Sequence, residues 1–193
     1  MTDITSYDKA STSLTHEEFD DLKLSYITTK DDLNEAEQSN ILGAKRWAFR
    51  RKRNVLDEKF LKSLHKKMFC EVWKWAGIYR KSGKTIGVDA YKISTDLNAL
   101  LSDISFWVER KTYPMVEIAA RFHHKLVYIH PFPNGNGRFS RLATDLFLKQ
   151  YNEAPFSWGA NLSPPEKRRK EYISALQAAD DHDIDPLINF VTR

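Results

Sequence analysis

The residues best suited to chemistry run together as His130-Pro131-Phe132-Pro133-Asn134-Gly135-Asn136-Gly137-Arg138, with Arg141 three residues further on. Their types suit the transfer of a phosphorus-centred group. Gly135-Asn136-Gly137 is a run of small residues opening into a predicted helix. Such a loop exposes backbone N–H groups and the helix start adds partial positive charge, a combination that binds phosphate. Arg138 and Arg141 share a helix face at that end, and a guanidinium presents a fixed fork of donors matched to phosphate oxygens. His130 lies across the tight turn set by Pro131 and Pro133. A neutral imidazole there can take the proton of an incoming hydroxyl, whose oxygen attacks a phosphorus held by the loop. Developing charge would spread over the backbone donors, Asn136 and the arginines. The same residues also describe a helix-loop-helix turn that needs its glycines for geometry and leaves its arginines solvated.

Helices must hold this loop. The most apolar one is predicted at about 115–129, after Pro114, and ends at His130. Ile118, Phe122, Leu126 and Ile129 form one face and Val116, Ala119, His123 and Val127 another, which places it in the middle of the core. A further helix follows Gly137, with Leu142, Leu146 and Phe147 inward. Upstream, Thr15 with Glu18 has capping-box spacing for a short helix to about Leu24. A helix over about 31–53, capped by Thr29 or Asp31, ends in a basic cluster, and others are predicted over 57–73, 94–109, 164–180 and 184–192. From Ile78 to Ile93 the pattern changes: Ile86 and Val88 alternate with small or polar residues and Gly83 and Gly87 punctuate it, the pattern of a short β-hairpin. Residues 1–13 are polar and predict a flexible arm. The expected organisation is an N-terminal arm and helical element over 1–53, of regulatory potential, and a core domain over 54–193.

The chain has 193 residues, 41% of them hydrophobic, enough for one sizeable core and against wholesale disorder. Its formal charge of +4 permits an anionic ligand without demanding one. The basic residues Lys45, Arg46 and Arg50 to Arg53 fit a helix C-terminus better than a nucleic-acid contact. The single cysteine, Cys70, excludes an internal disulfide, fits a reducing compartment and is expected to be buried. No apolar run reaches the ~18–20 residues of a membrane span, and the polar N-terminus lacks a signal-peptide core. A cytoplasmic protein with no membrane partner is expected. Ser82-Gly83-Lys84-Thr85 lacks the glycine spacing of a phosphate-binding P-loop. His123 and His124 read as helix histidines, one inward and one outward, and the aspartates from Asp180 to Asp185 as a solvated connection without calcium-loop spacing.

The segment from His130 to Arg141 resembles the Fic signature, His-x-Phe-x-(Asp/Glu)-Gly-Asn-Gly-Arg-x-x-Arg, and departs from it only at Asn134. Trp75-Ala76-Gly77, Tyr79-Arg80 and Ile86-Gly87-Val88 resemble the lead-in and the target-docking flap of Fic proteins. Arg168, Tyr172, Ala175-Leu176 and Leu187-Ile188 resemble their closing helices, so the likeness covers roughly 40–193. Glu35-Ala36-Glu37-Gln38-Ser39-Asn40-Ile41 and the Pro133-Asn134 variant most resemble the Fic subgroup called mobile mystery protein B.

The resemblance implies an all-α Fic-type domain with one short β-hairpin flap and an N-terminal helical extension. It implies protein adenylyltransfer: AMP passes from ATP, with Mg²⁺ or Mn²⁺, to a Ser, Thr or Tyr hydroxyl of a target protein. His130 would be the general base. Gly135, Asn136 and Gly137 would cradle phosphates, with Arg138 on the β- and γ-phosphates and Arg141 on the γ-phosphate. Phe132 would anchor the loop. The flap, Lys84, Thr85, Ile86, Gly87 and Val88, would pair with an extended target segment. Asn134 stands where an acidic residue usually holds the metal; its amide oxygen can coordinate but brings no charge. Fic proteins often carry an inhibitory glutamate on a helix; its strict pattern is absent here, and Glu35 and Glu37 read either as exposed helical glutamates or as candidates to reach Arg141, with Asp145 as a competing partner. Related Fic enzymes transfer phosphate, UMP or phosphocholine, and a catalytically silent nucleotide-binding domain keeps the same loop. An antitoxin-like regulator, a homo-oligomer and a toxin-like role follow from the subgroup resemblance alone.

Overall fold

The computed structural model describes residues 14–193, so the expected arm at 1–13 lies outside the described residues. In chain order the described residues form α1 (His16–Phe19), α2 (Lys30–Phe49), α3 (Glu58–Phe69), a 3-10 turn (Ala90–Lys92), α4 (Ile93–Arg110), α5 (Met115–Ile129), α6 (Asn136–Gln150), α7 (Pro165–Asp180) and α8 (Asp185–Thr192). The fold is all-α, as expected.

Local chemistry explains most of the boundaries. Thr15 with Glu18, and Thr29 with Asp32, close reciprocal capping boxes at the starts of α1 and α2. α1 ends at Phe19, short of the predicted Leu24, because Leu22 turns aside into an antiparallel bridge with Trp73. α2 ends at Phe49, short of the predicted 53, where Lys149 Nζ donates to the Phe49 carbonyl at 2.8 Å. A cation thus meets the negative end of that helix, and Arg53 lies over the Trp47 ring at 4.5 Å. α3 stops at Phe69 rather than at 73, and Trp73 and Trp75 turn back into the core as a stacked pair.

α5 is the central helix. Ile118, Phe122, Leu126 and Ile129 are buried along one face and Ala119 and His123 on the other, because α5 packs against α4, α6 and α8. His124, expected outward, is buried as well: its Nε2 lies 2.7 Å from Asp180 Oδ1, so an α7 carboxylate replaces water. Cys70, expected to be buried, is only half-buried, with its thiol donating to Glu71 at 3.3 Å.

The hairpin predicted over 78–93 does not form. Residues 78–93 contain no strand or bridge residue. Instead of a ladder, one side chain joins the two arms of this loop: the Arg80 guanidinium donates to the carbonyls of Ser82 and Val88. Ile86 is 49% exposed, so the alternation has no apolar face to bury, and Gly87 bends the chain at φ +112°.

Candidate active site

His130 sits at the C-terminus of α5. Its N–H donates to the Leu126 carbonyl at 3.2 Å, and its φ of 52° and ψ of 60° turn the chain out of the helix. A left-handed non-glycine residue costs on the order of 1 kcal/mol or more, so its surroundings must hold it. Arg80 Nε donates to the His130 carbonyl at 2.7 Å, and the Arg80 N–H donates to the Pro131 carbonyl at 3.0 Å. Burial above all, then the Arg80 and Lys84 cations, push the imidazole pKa down from 6.5 to about 4, against a hydrogen bond to the Val127 backbone. The ring is neutral at physiological pH, the form that accepts a proton.

The turn after His130 is fixed from inside. Phe132 is buried and stacks on His65, with centroids 3.6 Å apart and planes 12° apart. The Gly77 N–H donates to His65 Nδ1 at 3.0 Å, which assigns the ring hydrogen to Nε2, 3.1 Å from the Asn134 carbonyl. Burial lowers the His65 pKa to about 3, so the ring remains a neutral strut between α3 and the loop. The Asn136 side chain exchanges two hydrogen bonds with the Phe132 backbone, at 2.8 and 2.9 Å. That side chain, expected to help spread charge, therefore closes the turn, and its backbone N–H is what it offers an anion.

α6 begins without a side-chain cap. Its N-cap is Gly135, at φ +77°, where an added Cβ would stand 2.6 Å from Phe69 Cε2. The first-turn N–H groups of Asn136, Gly137 and Arg138 have no acceptor within the helix. Beside Gly137 an added Cβ would meet nothing within 4 Å, so there is room for a ligand against the backbone. The base and an uncapped helix N-terminus thus stand at the two ends of one tight turn of chain.

The arginines part company. Arg138 Nη1 lies 2.5 Å from Glu37 Oε2 of α2, with its guanidinium 5.0 Å from the Phe69 ring centroid. Glu37 is buried, and its other oxygen accepts from Trp73 Nε1 at 2.7 Å. The expectation that Glu37 reaches Arg141 is thereby corrected: α2 crosses the first turn of α6 and brings the carboxylate to Arg138. Glu35 is exposed and lines a separate groove with Asp32, Ser39 and Glu71. Arg141 lies over the Tyr172 ring at 5.5 Å, and the Tyr172 hydroxyl is 2.9 Å from His123 Nε2. Asp145, expected to compete for Arg141, accepts from Trp158 Nε1 at 3.0 Å; burial raises its pKa to about 6, with Arg141 only a coulombic neighbour.

The flap lies directly against His130. A Cβ on Gly87 would be 2.7 Å from both His130 Cβ and Arg80 Nη2. Thr85, Ile86 and Gly87 are exposed, whereas the Lys84 side chain is buried in an ion pair with Glu18, which also accepts from Ser82 Oγ at 3.0 Å. α1 therefore holds the near end of the flap and leaves the tip open.

The donors do not make a metal site. Asn134 contributes one neutral oxygen, which already accepts from the Gly135 N–H at 2.5 Å. Among the described residues no three His, Cys, Asp or Glu side chains cluster as metal ligands.

The hold of Glu18 on the flap, the strut role of His65 and the reach of Arg80 into the loop escaped the sequence reading. A signal existed for His65, a polar residue on the inward stripe of Leu61, Leu64, Met68 and Phe69. Arg80 gave none beyond its position beside the flap.

The Fic/DOC family model matches residues 55–148. The chain is 32% identical over 118 residues to a protein adenylyltransferase Fic of Aedes aegypti, covering 60% of this chain. It spans about a fifth of that relative's length, 22%. Its fold is shared with the N-terminal Fic domain of a Bartonella quintana effector solved with ADP, at TM-score 0.70 and 17% identity over 92% of this chain and 94% of that one. It is shared also with BepC of Bartonella tribocorum solved with AMPPNP, at TM-score 0.69 and 18% identity over 93% and 99% of the two chains.

Proposed function

We propose that the protein, whose residues 55–148 match the Fic/DOC family model, is a protein adenylyltransferase, transferring AMP from ATP to a Ser, Thr or Tyr hydroxyl of a target protein. The observation that carries this reading is the juxtaposition of a buried, neutral His130 with the uncapped N-terminus of α6. The names of the Aedes and Drosophila relatives support the choice of AMP.

In this reading the α6 N–H groups and Arg141 hold the triphosphate, and the flap tip from Thr85 to Val88 lays the target segment beside His130. The imidazole takes the hydroxyl proton as the target oxygen attacks the α-phosphorus. The bond from that phosphorus to the β-phosphate oxygen breaks, and pyrophosphate leaves with the electron pair. A divalent cation, Mg²⁺ or Mn²⁺, would arrive with the phosphates and offset their charge; Asn134 could lend it one neutral oxygen, shared with the Gly135 N–H.

We assign Glu37 as an inhibitory group acting on Arg138. While the two are paired, the guanidinium is turned toward a carboxylate and away from phosphate, and α2 serves as the regulatory part of the N-terminal element over 1–53. A toxin-like role rests on the resemblance of the Glu35–Ile41 segment to the mobile mystery protein B subgroup. A silent nucleotide-binding domain is the second reading, favoured by the neutral, already engaged Asn134.

ATP labelled on the α- or the γ-phosphate tests the assignment. Protein-bound label from the α-position alone supports AMP transfer. Label from the γ-position alone means phosphate transfer, and tight ADP binding without label from either favours the silent domain.

A further inference from the structure

Arg80 is 3% exposed and sits at the junction of flap and base. Its guanidinium donates to four carbonyls: Ser82 at 2.9 Å and Val88 from the two arms of the flap, His130 at 2.7 Å and Ile129 at 3.4 Å from the end of α5. Its own N–H adds the Pro131 carbonyl at 3.0 Å. Burying a cation on neutral acceptors is costly, and an apolar side chain could fill the same space. What the guanidinium adds is direction. The ψ of His130 sets where its carbonyl points, so a bond from Arg80 Nε to that oxygen fixes the left-handed backbone from which the imidazole projects. The other face of the fork fixes Ser82 and Val88, which bracket the exposed flap tip. Gly87 completes the joint, because any Cβ there would strike both Arg80 and His130.

We propose that Arg80 is a positioning residue for the transfer reaction, locking the His130 backbone and both arms of the target-docking flap into one rigid unit so that the docked hydroxyl meets the imidazole. This rests on the adenylyltransferase reading for its rate consequences, but the lock itself does not. Two further features agree with it. Arg80 and Lys84, the charged groups that act on His130, are both cations and favour the neutral ring. The flap also has no ladder between its arms, since residues 78–93 contain no strand or bridge residue.

The test uses the full chain with Glu37→Gln as a common background, in which Arg80 is wild type, Arg80→Lys or Arg80→Met. Three readouts are taken: ADP affinity, steady-state transfer, and the pH titration of the His130 ring by NMR of selectively labelled histidine. Arg80→Lys keeps the charge and loses the fork; Arg80→Met loses both. The lock predicts ADP affinity within twofold of wild type in both variants. It predicts kcat down roughly a hundredfold in Arg80→Met with the KM for ATP unchanged, and only partial recovery in Arg80→Lys. It predicts a His130 midpoint that climbs above about 4 in both variants as the released ring loses part of its burial, and climbs further in Arg80→Met, which also loses the cation. A His130 titration and kcat indistinguishable from wild type in both variants would overturn it. If wild type transfers nothing, the function reading fails separately, and the His130 titration still decides the lock. Should Arg80→Met not fold, Arg80→Lys with wild-type kcat is enough to sink the proposal.

Discussion

The Glu37 carboxylate on α2 stands 2.5 Å from the Arg138 guanidinium on α6, across 101 residues of chain. Glu37 also holds Trp73, so removing the whole side chain would leave a buried indole N–H without its acceptor. Glu37→Gln keeps an oxygen for Trp73 and discards the charge. We expect it to tighten ADP by about tenfold, the worth of one charge-assisted contact, measured by isothermal titration. Unchanged affinity would detach Glu37 from nucleotide binding.

His130→Ala is expected to bind ADP as wild type does and to lower transfer by about 10²–10⁴-fold, the usual contribution of a general base. With the His130 pKa near 4, the base is neutral throughout the ordinary range. The His130-dependent part of the rate should therefore be flat from about pH 6 upward and fall only as pH approaches that value. A rate that titrates near 6.5 would mean that the ring is not desolvated in the working enzyme.

Stability should fall on acidification. His65 and His123 have pKa values lowered to about 3, and His130 to about 4, chiefly by burial. Each ring binds a proton in the unfolded chain below about pH 6.5 but not in the folded one, so each costs stability as pH falls from there toward its folded value. Asp145 acts oppositely: with its pKa raised to about 6, the folded state takes up its proton first, which favours folding between about pH 6 and 4. Three rings outweigh one carboxyl. The net slope is on the order of two protons, or roughly 3 kcal/mol per pH unit between pH 4 and 6. Urea midpoints at pH 7, 6 and 5 should descend in order, and a flat series would contradict the burial assigned to these rings.

Gly135 and Gly137 should respond differently to alanine. At Gly135 the positive φ and the Phe69 ring oppose a Cβ, so Gly135→Ala should cost about 1–3 kcal/mol and lower Tm by several degrees. At Gly137 the space is open, so Gly137→Ala should leave Tm within a degree or two while weakening ADP severalfold. Equal Tm losses would mean that both glycines serve packing alone.

The helices and the loop between α5 and α6 were legible because their signals are local: a capping box at Thr15, a cap candidate at Thr29, two apolar faces on α5, and consecutive site residues. What the sequence concealed depends on long-range contact. Alternation at Ile86 and Val88 reads as a strand, but Arg80 supplies from the side what a partner strand would have supplied. Glu37 was marked as reaching an arginine, but which one depends on how α2 crosses α6. His124 faces inward because α7 delivers Asp180 from 56 residues away.

The most direct test of adenylyltransfer is incubation of Glu37→Gln protein with cell lysate and ATP labelled on the α-phosphate, with Mg²⁺ or Mn²⁺, beside wild type, Glu37→Gln/His130→Ala and Glu37→Gln/Asn134→Asp. The account predicts protein-bound label that is stronger in Glu37→Gln than in wild type, is lost with His130→Ala and is raised further by Asn134→Asp. Protein that binds ADP yet transfers no label in any of these forms would contradict it.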